Sequence, residues 1–247
     1  MTLYAWPEAA AFGRVIPKAK IYEHAGAKRP LKEGFVREVE QIIWSHKLAP
    51  ETINLAATDA VTEIQVFRIA QKTAVLDREL LRAIDTAIPF PLIFELSHGG
   101  RIKLAAAWKR PSEADRARWI VGDYFEADWL PEATARVPLP VATNLGALYE
   151  RLLSPLVERQ TAQLMPDADS GVAEAPQGYA NPNAQDAPVS LEARIAQAEA
   201  IKAKAREVER IKARLAREKQ FNKRVAINAE LRDAKLALEQ LRAKVHG

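Results

Sequence analysis

The chain has 247 residues, 48% hydrophobic and 28% charged, with a net charge of +4 and no cysteine, which is room for one full core plus an appendage or for two small domains. Without cysteine there are no disulfides, zinc–thiolate sites, cysteine-ligated clusters or thiol nucleophiles. The longest uncharged stretch, Val137 to Tyr149, holds two prolines and falls well short of the roughly 20 apolar residues of a spanning helix; with no basic run ahead of Pro7, the expectation is a cytoplasmic protein without a membrane segment.

In chain order, Leu31 to His46 sets Phe35, Val39, Ile42 and Ile43 at helical spacing among Lys, Arg and Glu, which predicts one amphipathic helix stopping before Pro50. Val61 to Ala70 alternates imperfectly between β-branched and polar residues, the pattern of a half-buried strand. Leu76, Leu80, Leu81 and Ile84 predict a helix with Asp77 and Glu79 in its first turn, where the macrodipole favours acids. Ile88–Leu96 and Arg101–Trp108 flank Ser97-His98-Gly99-Gly100, a strand, tight turn and strand. Trp119–Phe125 reads as one more strand, and Leu145–Leu164 as a helix or a helix pair interrupted near Pro155. Helices interleaved with an antiparallel hairpin predict an α+β domain over residues 1–165.

Residues 166–188 contain four prolines and two glycines and carry four acids but no base, a composition that predicts a flexible acidic linker. From Val189 to His246 there is neither Gly nor Pro, and strong helix formers dominate; the prediction is a helical, coiled-coil-like tail over 189–247. Ile227, Leu231, Ala234, Leu238, Leu241 and Val245 step by four and three alternately, an a/d seam suited to a partner or a second copy. Upstream, Leu191, Ile195, Ala198, Ile201, Ala205, Val208, Ile211 and Leu215 keep to one stripe with two phase slips. Lys219–Arg224 separates the two registers, and a bent junction, a hairpin turn and an uninterrupted helix all fit. The basic excess sits here: residues 189–247 hold 15 Lys/Arg against 8 Asp/Glu, which suggests an anionic partner such as nucleic acid.

The chemistry on offer is sparse. His24, His46, His98 and His246 are scattered, and no Gly-rich phosphate cradle or nucleophile elbow occurs. Asp85, Glu95, Lys103 and Lys109 are the nearest set for a metal-dependent nuclease, but Glu95 and Lys103 lie on opposite arms of the hairpin. No catalytic residue, metal ligand or cofactor is therefore nominated. Candidate nucleic-acid contacts are Lys18 and Lys20 beside Tyr22, Lys109 and Arg110 after Trp108, and Lys219, Lys223 and Arg224 around Phe221, since cations release counterions from phosphates and aromatics stack on bases.

Ile16-Pro-Lys18, Phe35–Trp44 with Lys47-Leu-Ala-Pro-Glu-Thr-Ile-Asn54, Glu63–Phe67, Ile84–Pro89, Leu92-Ile-Phe94 and the ending Glu218–Val225 with Asn228–Leu231 together resemble the bacterial family catalogued as domain of unknown function 4391. The resemblance implies a setting beside DNA methyltransferases and SNF2-like or type III-like helicases in restriction-modification or phage-defence (antiviral) islands. It brings no catalytic residues with it. The expectation is a non-enzymatic accessory subunit of a DNA-targeting assembly that binds a helicase or methyltransferase partner, with DNA binding and a homo-oligomer through the tail as further options. The rivals are a metal-dependent DNA nuclease acting with a helicase and a purely structural adaptor.

Overall fold

The computed structural model describes residues 3–112, 119–164 and 190–243. Two compact units divide the chain, Met1–Leu156 and Val157–Gly247. The linker predicted over 166–188 and the seam residue Val245 lie outside the described residues.

The first unit begins with a two-residue strand β1 (Leu3–Tyr4), a 3-10 turn at Glu8–Ala10 and strand β2 (Ala11–Val15). Helices α1 (Lys18–His24) and α2 (Arg29–Glu38) lead into β3 (Val39–Leu48), and the short α3 (Pro50–Ile53) precedes β4 (Ile64–Gln71). Helix α4 (Arg78–Ala87) crosses to β5 (Leu92–His98), followed by β6 (Arg101–Pro111), β7 (Trp119–Glu126), the short β8 (Leu130–Pro131) and β9 (Arg136–Val137), and α5 (Leu145–Leu164), within which the division after Leu156 falls. The sheet runs β2-β3-β4-β5-β6-β7, with β8 on β6 and β1 paired in parallel with β9. Every pairing in the main sheet is antiparallel except β4–β5. This is the α+β architecture expected from the sequence.

The single helix expected over Leu31–His46 ends at Glu38, and its second half is the ten-residue strand β3. Phe35, Val39 and Ile42 do share a helical stripe, but Val39, Ile42, Ile43 and Trp44 are β-branched or aromatic and favour a pleated surface. Pairing of β3 with strands on both sides decides for strand. β4 is buried on both faces rather than half-buried, with Gln65 and Val66 at 3% and 0% exposure, because helices cover one side of the sheet and the N-terminal segment and α5 cover parts of the other.

The remaining elements form for local reasons. Asp77 caps α4, its carboxylate accepting the Glu79 N–H at 3.0 Å. The β5–β6 turn needs positive φ at both central positions, 55° at Gly99 and 72° at Gly100, the conformation glycine adopts without cost. Helix α5 is one element with Pro155 inside it. Phe35, Ile42, Phe67, Ile69, Leu80, Ile84, Phe94, Leu96 and Tyr124 make the core between the sheet and the helices, each large apolar side chain contributing about 1.5–3 kcal/mol on burial.

In the second unit, α6 (Leu191–Arg217) is capped by Ser190, whose hydroxyl accepts the Ala193 N–H at 3.2 Å, and α7 (Phe221–Ala243) follows after three residues. The two helices fold back on each other as a hairpin. Ile201, Val208 and Ile211 of α6 pack against Ile227, Ala234 and Leu238 of α7, with Leu215, Leu231 and Leu241 at the margin. The a/d seam is thus covered by the same chain. Among the described residues no helix is long and apolar enough to cross a membrane.

Candidate nucleic-acid interface

The structure separates the candidate residues into those that build the fold and those that remain on the surface. Lys109 belongs to the fold. Its side chain has 0% exposure, and its Nζ donates to the main-chain oxygens of Asp85 and Ile88 and lies 3.4 Å from Asp85 Oδ1. Strand alternation sets Lys109 on the same face as Ala105 and Ala107, which belong to the core on the helix side of the sheet, so its side chain runs to α4, cannot reach a phosphate and is withdrawn from the nucleic-acid candidates. Tyr124 donates its hydroxyl to Asp85 Oδ2, and the Tyr149 hydroxyl donates to Ala107 O at 2.6 Å and accepts the Lys109 N–H at 3.0 Å. Burial pushes the Asp85 carboxyl up to about 6 against the opposing charge of Lys109, and burial likewise lowers Lys109 and raises both phenols. Trp108 stacks on Tyr149 at 5.3 Å, and Arg110 is half-buried.

Lys18 is also structural. Its ammonium donates to Phe35 O at 3.2 Å and to Val39 O, closing the C-terminal end of α2, and burial lowers its pKa. Tyr22 packs on Phe35 with ring centroids 5.5 Å apart. Only Lys20 of this group is exposed, 3.4 Å from Glu23.

The acids considered for metal binding are apart and neutralised. Glu95 is 3% exposed, on the sheet face opposite Phe94 and Leu96. There it accepts from Arg136 Nη1 at 2.6 Å and Trp6 Nε1 at 2.8 Å. Lys103 pairs with Glu126 at 2.5 Å and stands over the Trp129 ring at 4.8 Å. His24, His46 and His98 occupy three separate places, and no group of three or more metal-ligating side chains comes together among the described residues. Sequence reasoning missed Trp6, Tyr124, Arg136 and Tyr149, the partners that neutralise or hold these groups. Their separations along the chain, up to 89 residues for Trp6 and Glu95, leave no local pattern to read.

Charge instead accumulates at the closed end of the helical hairpin. Arg210, Lys212, Arg214 and Arg217 on the last turns of α6, Lys219 in the connection and Lys223 and Arg224 on the first turn of α7 are all exposed. Between positions 210 and 224 Glu218 is the single acid. It caps the connection by accepting the Gln220 N–H at 2.8 Å, and this bond and its neighbours hold its carboxyl below the usual range. Lys212 pairs with Glu209 at 2.6 Å, and Arg214 pairs with Glu230 across the hairpin. Arg210, Arg217, Lys219, Lys223 and Arg224 have no ion-pair partner among the described residues. Phe221 and Val225, at 77% and 54% exposure, stand outside the hairpin core on the same surface. The fold therefore brings the basic ends of two helices to one place, where sequence spacing alone left three arrangements open. A dense cationic patch with an exposed ring suits a polyanion bearing aromatic groups.

A family model described as domain of unknown function (DUF4391) matches residues 5–238, nearly the whole chain, and the chain belongs to that family. No curated protein and no solved structure matches it.

Proposed function

We propose that this member of the DUF4391 family is a non-enzymatic accessory subunit of a cytoplasmic DNA-targeting assembly of the restriction-modification or phage-defence kind, and that it contacts nucleic acid through the tip of its helical hairpin. The observation that carries the reading is the cluster of exposed cations from Arg210 to Arg224 with one acid among them. Phosphate neutralisation with counterion release favours such a patch on any nucleic acid. Nothing in the patch offers a fixed bidentate reader of base edges, so binding is sequence-tolerant and salt-sensitive.

The accessory role is supported by the chemistry of the α+β unit. Asp85 and Lys109 neutralise one another in the core, and Glu95 is held by Arg136, which leaves these groups for stability rather than for a metal or a phosphate. Because Ile227 and Leu238 already pack on α6, a helicase or methyltransferase partner is held by other surfaces of the chain. Affinity purification of the tagged full-length chain from its native cells tests the role. The reading expects a helicase or methyltransferase together with nuclease-sensitive nucleic acid. Recovery of a protein partner with no nucleic acid would favour a structural adaptor, and divalent-metal-dependent DNA cleavage by the purified chain would favour the nuclease.

A further inference from the structure

Among the described residues Phe221 is the most exposed large aromatic side chain, at 77%, and it opens α7 beside cations that have no ion-pair partner there. Residues three and four apart share a helix face, so Arg224 and Val225 lie on the face of Phe221, with Lys219 in the connection just before it and Lys223, two residues on, on the other side of the first turn. The seam residues one face away behave differently: Ile227 and Leu238 are at 8% and 7% and fill the hairpin core. Phe221 contributes nothing to that core, and in water its ring is an unfavourable exposure of apolar surface. A duplex gives such a ring little to do, because its bases are stacked inside and its surface offers phosphates and groove edges. An unpaired strand offers π-faces as well as phosphates, and base–aromatic stacking on a cationic groove is how sequence-tolerant single-strand binders gain affinity.

We propose that the hairpin tip takes single-stranded nucleic acid, with Phe221 stacking on one base while Lys219 and Arg224 neutralise neighbouring phosphates and Lys223, on the other side of the first turn, adds to the positive field of the tip. This rests on the reading of the tip as the nucleic-acid contact and adds the form of nucleic acid it selects. Arg224 on the face of Phe221 is placed to meet the phosphate of the stacked nucleotide, and Val225 extends the apolar platform toward the sugar.

The test is fluorescence anisotropy of the full-length chain with a labelled mixed-sequence single strand and with its duplex, comparing wild type with Phe221→Leu, Phe221→Trp and Lys219→Glu/Lys223→Glu. Leucine keeps an apolar side chain and removes the π-face, so Phe221→Leu should lose about tenfold on the single strand and stay within about twofold on the duplex, and Phe221→Trp should bind the single strand as well as wild type or better. The charge variant should weaken both forms. Wild-type preference for duplex, or an equal loss on both forms for Phe221→Leu, would overturn the inference while leaving the tip as a nucleic-acid contact. Failure of wild type to bind either form at low salt would overturn the underlying reading as well. Loss of a co-purifying protein in Phe221→Leu with single-strand affinity unchanged would assign the ring to a protein interface and overturn the inference too.

Discussion

Lys109 and Asp85 form an ion pair inside the α+β unit, Nζ 3.4 Å from Oδ1, with side-chain exposures of 0% and 2%. The pair joins β6 to α4, and the hydroxyl of Tyr124 and the carbonyls of Asp85 and Ile88 complete its hydrogen bonding. Removing one partner leaves the other buried without compensation. Lys109→Met should therefore lower unfolding stability by about 3–5 kcal/mol, read by urea denaturation. Because Lys109 is far inside the fold, nucleic-acid affinity of the folded variant should be unchanged; a loss of affinity without a loss of stability would return Lys109 to the binding surface.

The same pair sets a pH dependence. Burial raises the Asp85 carboxyl from 3.8 to about 6, so the folded state binds this proton more tightly than the unfolded state does. Its contribution to stability is fully present below the unfolded value and is lost as pH rises through about 6. The stability of wild type relative to Asp85→Asn should fall as pH is raised from about 4 to about 6 and then level off. A difference that stays flat over this window would contradict the assignment.

Arg136 holds the N-terminal segment as well as Glu95, since its Nη1 also donates to Tyr4 O at 2.7 Å. Arg136→Leu should leave Glu95 buried without its cation and release β1 from β9. Native-state hydrogen exchange should then speed up at Tyr4 to Trp6 before it does in β4 or β5, and uniform acceleration throughout the unit would argue against a local role.

How much of this was legible in the sequence depends on how local the deciding physics is. The β5–β6 hairpin was readable because its turn demands two glycines in a row, and α4 because acids cluster at its start. The strand β3 was not, because Phe35, Val39 and Ile42 satisfy helical spacing and only pairing with β2 and β4 overrides it. Lys109 reads as a surface cation beside Trp108, although alternation puts it on the face of Ala105 and Ala107; that α4 brings Asp85 over that face is set by tertiary packing and has no local pattern. The basic run around Phe221 was visible as composition, while its concentration at one point required α6 and α7 to fold back, which the phase slips alone do not specify.

The hairpin itself is testable. Leu238 packs among Ile201, Val208 and Ile211, so Leu238→Lys should reduce the helical signal of far-UV circular dichroism by opening the pair. Since α6 of the same chain covers the seam, the mass from light scattering should be the same for both proteins. A wild-type dimer that the variant dissolves would show that a second copy shares the seam.

The central claim is that the hairpin tip carries nucleic-acid binding, and the salt dependence of affinity tests it most directly. Binding of the full-length chain and of Lys219→Glu/Lys223→Glu/Arg224→Glu to a duplex with a single-stranded overhang should be titrated across salt concentrations. Each lost phosphate contact reduces the slope of log K against log salt by about 0.7–0.9, so the account predicts a variant that binds far more weakly with a slope shallower by about 2–3. Equal affinity and equal slope for the two proteins would contradict it.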